Sequence, residues 1–129
     1  MILAFKQQFV PAILDGTKIH TIREDKTGRW KPGNKIHFAT GVRTPYYNNF
    51  IDGECARVQE VFMTYAYNDL IEISVDDREL FGYQERMEFA RNDGFETWAE
   101  FFDWFYPIII ASPDQCFRGK VIHWTLFKY

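Results

Sequence analysis

Cysteine, membrane-length apolar runs and net charge are all scarce in this chain of 129 residues, and each scarcity closes off a class of protein. The two cysteines, Cys55 and Cys116, lie far apart with no CxxC or Cys/His spacing around them. That excludes a disulfide-stapled miniature fold and a zinc ribbon. Both read as reduced structural thiols, with a single disulfide as the alternative. No apolar run approaches the ~20 residues that span a bilayer, and no basic-then-apolar leader with a cleavage site opens the sequence. The expectation is a soluble cytoplasmic protein with no membrane partner. Glycine-rich GxGxxG and Walker loops are missing, as is a GxSxG elbow. His20, His37 and His123 have no metal-ligand spacing, so neither a metal nor a cofactor is expected. His20 and His37 would meet if their strands paired, but satisfied or exposed histidines are the commoner outcome. Repeats and low-complexity tracts are absent, which leaves one domain over 1–129.

Apolar residues make up 47% of the chain and aromatics 19%, enough for a real core. The formal charge of −3 argues against nonspecific wrapping of nucleic acid. Its distribution is uneven. Residues 1–50 carry eight Lys/Arg against three Asp/Glu, and residues 51–129 carry seven against fifteen. The basic group is Lys18, Arg23, Lys26, Arg29, Lys31, Lys35 and Arg43. A small anionic or polar ligand, or a short nucleic-acid segment, suits such a region; a solvated mixed-charge surface is the competing reading.

The pattern along the chain predicts a short strand at Ile2–Phe5 and a helix of about two turns over QQFVPAILDG, stopped by Gly16. Extended chain follows from Ile19 to Arg23, then a strand from Lys35 to Ala39 after the Pro32-Gly33-Asn34 turn. Residues 40–54 read as a long loop. Strands are predicted over Ala56–Tyr65 and Ile71–Val75. Asp76 and Glu79 have capping-box spacing, so a helix should start there, with Leu80, Tyr83, Met87 and Ala90 as its apolar stripe and Asn92-Asp93-Gly94 as its stop. Thr97 and Glu100 repeat the box before Trp98, Phe101, Phe102 and Phe105, a core stripe that Pro107 should end. GKVIHWTLFKY reads as a long central strand. The sum is α+β, with the sheet curled toward a barrel.

The densest cluster of chemistry is GTKIHTIRED, residues 16–25. Thr21 offers a hydroxyl that attacks a carbonyl once a base takes its proton. A desolvated Lys18 beside another cation loses enough pKa to be that base. Arg23 holds a phosphate or carbonyl oxygen with its planar fork. Strand alternation puts positions 18 and 21 on opposite faces, so they converge only if Lys18 sits in the turn after Gly16. A solvated edge is the other reading of the same residues.

The helix ending in glycine, GTKIHTIR and then WKPGNKIHF resemble ASCH domains, small proteins with a PUA-like β-barrel. Their signature Gly-x-Lys-x-x-Glu-x-Arg is matched by Gly16, Lys18 and Arg23, while Thr21 stands at the Glu position. The likeness covers essentially the whole chain, with its specific part at residues 16–38. The Thr is similar to a bacterial subgroup that hydrolyses the acetyl amide of acetylcytidine. In that subgroup a Thr is the nucleophile, a Lys three residues earlier the proton acceptor and a later Glu the proton donor. The resemblance gives Thr21 and Lys18 the first two roles. Asp93 aligns nearest to the third, with Glu96 and Glu88 as alternatives. It also implies a cleft for RNA or a modified nucleoside, lined by Arg23, Lys35 and Arg43, with Trp30, Tyr46 and Tyr47 stacking on a base. Rim packing is the plainer role for those aromatics. Three readings follow: an RNA- or nucleoside-binding module, an acetylcytidine-type amidohydrolase, and an accessory domain acting through protein contacts.

Overall fold

The computed structural model describes residues 1–67 and 69–129. A 3-10 turn at Gln7–Phe9 leads into α1, Val10–Asp15, with Pro11 in its first turn. Gly16 ends it at φ 86°, a left-handed conformation that favours glycine. From that turn the Lys18 amide donates back to the Ala12 carbonyl, and the chain enters β2, His20–Arg23.

Two sheets carry the fold. The smaller joins β1 (Ile2–Ala4), parallel to β3 (Lys35–Thr40), which pairs antiparallel with β4 (Asn48–Glu54). The larger is antiparallel throughout. Its order is β2, β8 (Cys116–His123), β5 (Arg57–Thr64), β6 (Glu72–Val75) and β7 (Arg78–Glu79). The architecture is therefore α+β. Among the described residues no ladder joins the two sheets, so the expected barrel closure is not present as a hydrogen-bonded cylinder. Helices α2 (Tyr83–Asn92) and α3 (Trp98–Ile110) bury Phe89, Ala90, Phe101, Phe105 and Ile109 in one core with Ile36, Met63, Ile73, Val121 and Ile122. No helix among the described residues is long and apolar enough to cross a membrane.

Several expected elements differ. Residues 48–54, read as loop, form β4. Most of its side chains are exposed, so it carries no alternating apolar face to detect. Asp76 and Asp77 cap no helix. At φ 49° and 65° they make the two-residue turn of the β6–β7 hairpin, and the helix starts seven residues later at Tyr83. Leu80 is buried ahead of α2, Tyr83 is exposed, and the buried face is Phe89 and Ala90. Pro107 lies inside α3. It is exposed, so the carbonyl left without a helical donor lies on the side open to water. Thr97 does cap α3, accepting from the Glu100 amide at 3.2 Å. The last strand starts at Cys116 and ends at His123, and residues 124–129 fold back as an irregular tail. Both cysteines are free.

Candidate functional site

A cavity of about 370 Å³ opens between residues 4–9, β2, the α2–α3 connection and α3. Phe5, Phe9, Ile22, Phe95, Trp104 and Phe105 supply its apolar wall, and Lys6, Lys18, Thr21, Arg23 and Asp93 its polar groups. Backbone geometry brings these groups together. The Ile19 amide donates to the Asn92 carbonyl at 2.9 Å, which ties the start of β2 to the end of α2. Lys18, one residue before, then reaches Asp93, one residue after.

Lys18 is only 2% exposed. Its ammonium donates to the Asp93 backbone carbonyl and lies 3.3 Å from the Asp93 carboxylate. The rings of Phe9, Phe5 and Trp124 surround it at 5.0, 5.7 and 5.9 Å. Burial pulls the Lys18 pKa below its ordinary value; Asp93 opposes this and Arg23 adds slightly to it. Gly94 makes room for the arrangement. Its φ is 96°, and a Cβ there would come within 2.8 Å of Lys18 Cδ and 3.0 Å of Phe9 Cδ1.

Thr21 is buried on β2, and its Oγ1 accepts from Arg23 Nε at 3.2 Å. The hydroxyl proton is thereby left free to point elsewhere. Arg23 is held by Nη2 donating to the Ala4 carbonyl at 2.6 Å and by the Phe5 ring at 5.1 Å.

Behind the cavity runs a chain of polar groups. Asn92 Nδ2 donates to the Tyr129 hydroxyl at 3.0 Å, and that hydroxyl lies 2.6 Å from His20 Nε2. His20 Nδ1 lies 3.2 Å from Asp93 Oδ1. With Asp93 ionised, one tautomer satisfies every link: Tyr129 donates to Nε2, and Nδ1–H donates to the carboxylate. Burial lowers the His20 pKa, so the ring is neutral near pH 7. His20 faces His123 across the β2–β8 ladder at 5.3 Å between centroids. Burial, helped by the charges of His20 and Arg57, pushes the His123 pKa down to about 3. His37 pairs instead with Asp52 on the exposed face of the small sheet. Among the described residues no group of three or more His, Cys, Asp or Glu side chains could hold a metal ion.

The cavity thus gathers Lys18, Thr21, Arg23 and Asp93 from the sequence-predicted set. Of the three candidate acids only Asp93 lines it. Glu88 is exposed on α2, and Glu96 faces a neighbouring groove. The others lie away from it. Trp30 is buried in the core, its amide donating to Asp25 at 2.9 Å. Lys35 opens β3 opposite Glu54, while Arg43, Tyr46 and Tyr47 lie in the exposed β3–β4 connection. Sequence reading missed Lys6, the aromatic wall, and the His20–Tyr129 link. Of these only His20 carried a signal, a polar residue inside the dense stretch itself. Scans of protein-family models, curated proteins and solved structures give no match to the chain.

Proposed function

We propose that the cavity takes a modified nucleoside and that Lys18, Thr21 and Asp93 hydrolyse an acyl amide on its base, as in acetylcytidine. The observation that carries this reading is a buried lysine paired with a carboxylate and lining one small cavity with a threonine hydroxyl. Its volume lies at the small end of the range for ligand pockets, roughly 300–1,000 Å³, which suits one base with its acyl group better than a strand. The aromatic walls suit a planar ring.

The chemistry needs one proton shared by Lys18 and Asp93. As an ion pair the lysine is charged. Moving that proton to the carboxylate leaves a free amine as base and a carboxylic acid as donor, and a ligand that expels water favours this uncharged form. Thr21 Oγ1 then attacks the acyl carbonyl carbon while its proton passes to Lys18. The C–N bond breaks as Asp93 protonates the leaving exocyclic amine. Water attacks the Thr21 ester, releasing the carboxylic acid and returning the hydroxyl its proton. Arg23 Nε donates to Thr21 Oγ1 and so orients that oxygen. The resemblance of residues 16–38 to ASCH domains, and hence to a PUA-like fold, supports the same reading. So does Thr21 in place of the signature's Glu.

Cytidine release from acetylcytidine is the test. Wild type should turn over, with Thr21→Val and Lys18→Met each at least about a hundredfold slower, the usual scale for removing a general base. Equal rates in all three would remove hydrolysis. Binding of RNA or a nucleoside without turnover is the second reading, favoured by the ion pair itself, which places an ammonium where a base is needed. Tight cytidine binding with no product separates it from the first.

A further inference from the structure

Arg23 is half-buried, yet among the described residues no carboxylate lies within 4 Å of it. Its bonds go to the Ala4 carbonyl and the Thr21 hydroxyl, both neutral. Among the described residues Asp93 is the only acid lining the cavity, and it is already engaged by Lys18 and His20. Wherever the shared proton sits, the Lys18–Asp93 pair sums to zero, so Arg23 leaves the cavity with a net positive charge that Asp93 offsets only in part and from beyond ion-pair distance. Buried charges are normally paired, and one that is not marks a place where a ligand supplies the counter-charge. A second cation stands on the same rim. Lys6 follows Phe5 directly and lies exposed; its ammonium is 5.1 Å from the Trp104 ring centre and makes no ion pair or hydrogen bond among the described residues.

We infer that Arg23 and Lys6 form an anion subsite at the cavity mouth, so that the ligand is a nucleoside monophosphate rather than an uncharged nucleoside. This rests on the base-binding reading above only for the identity of the organic part. A single nucleotide fits better than an RNA strand for an electrostatic reason. The neighbouring open groove, which meets the cavity at Phe95, is lined by Asp15, Glu96 and Glu100 against one cation, Arg91. A polyphosphate backbone leaving the cavity on that side would run along three carboxylates. Lys35 and Arg43, which would have to track such a strand, are absent from the rim.

Calorimetry with cytidine, cytidine 5′-monophosphate and inorganic phosphate tests this in wild type, Lys6→Ala and Arg23→Gln. In parallel, phosphate is titrated against the side-chain NMR signals of Lys6 and Arg23. The monophosphate should bind about tenfold tighter than cytidine at low salt, the scale of one charge-assisted contact. That ratio should fall toward one in either variant and in about 0.5 M salt. Inorganic phosphate alone should move the Lys6 and Arg23 signals. Equal affinities for the two cytidine ligands, or a ratio unchanged in both variants, overturns the subsite. If neither cytidine ligand binds but phosphate still moves both signals, the subsite stands and the base-binding reading falls. No phosphate response ends the proposal in that case. A short cytidine-containing RNA binding tighter than the monophosphate overturns the choice of a single nucleotide.

Discussion

At the residue scale the account turns on how a lysine tolerates burial. Lys18 has one carboxylate, one carbonyl and three rings around it, and loss of the carboxylate leaves a cation with little to solvate it. Asp93→Asn should therefore cost about 3 kcal/mol in urea unfolding near neutral pH, the low end for breaking a buried pair. It should also lower the Lys18 pKa further, because Asp93 is what holds it up. Gly94→Ala tests the space around the pair. A methyl there meets Lys18 Cδ at 2.8 Å on a backbone at φ 96°, so a loss of about 1–3 kcal/mol is expected. The proposed hydrolysis should slow as the ammonium is displaced. A Gly94→Ala protein with wild-type stability and rate would mean that the lysine does not occupy that space.

At the element scale, β2 explains why a stretch so rich in polar groups is not a surface. His20, Thr21 and Ile22 are all buried, because β8 covers one edge of the strand and the tail and helices cover its faces. Such burial comes from neighbours distant in sequence, and no local pattern announces it. The local signals were legible. Gly16 stops α1, Thr97 caps α3, and Ile36 and Phe38 alternate inward on β3. Lys18, placed in the turn after Gly16, lines the same cavity as Thr21. What was not legible has particular causes. Chain 124–129 reads as strand because Trp124, Leu126 and Phe127 are apolar. It leaves the sheet because Tyr129 instead inserts its ring against His20, Phe89 and His123. By residue pattern Asp93 reads only as part of a helix stop, and it becomes a candidate acid through the resemblance alone, since the bond that carries it to Lys18 joins Ile19 to Asn92. The tail makes its own prediction. Tyr129→Phe removes the donor to His20 Nε2 and should cost about 1 kcal/mol, with the His20 imidazole ¹⁵N shifts changing as the tautomer is released. Unchanged shifts would disconnect the tail from the site.

At the scale of the whole molecule, buried histidines set the acid limit of stability. His123 has a folded pKa of about 3 against an ordinary value near 6.5, and the His20 pKa is lowered too. The unfolded chain therefore binds more protons than the folded one throughout that interval. Stability contributed by the neutral rings is complete above about pH 6.5 and is lost as pH falls toward 3. Urea midpoints should drop steadily across that window, and a His123→Gln variant, if it folds, should show a shallower fall. Flat midpoints from pH 7 to 4 would mean that the rings are not buried neutral. The division of charge along the chain also acquires a place. The basic first third supplies Lys6, Lys18 and Arg23 to the cavity, whereas Lys35 and Arg43 lie elsewhere, so composition located the site's sign but not its members.

The ionisation of Lys18 itself is the most direct measurement of the central claim. Its side-chain ¹³Cε resonance, followed by NMR from pH 6 to 11 on the intact protein, should titrate below the ordinary lysine value of about 10.4. It should move lower still in Asp93→Asn. A midpoint at or above 10.4 that does not respond to Asp93 would contradict the account, because an ammonium with a solvated lysine's proton affinity is neither buried in that cavity nor available as its base.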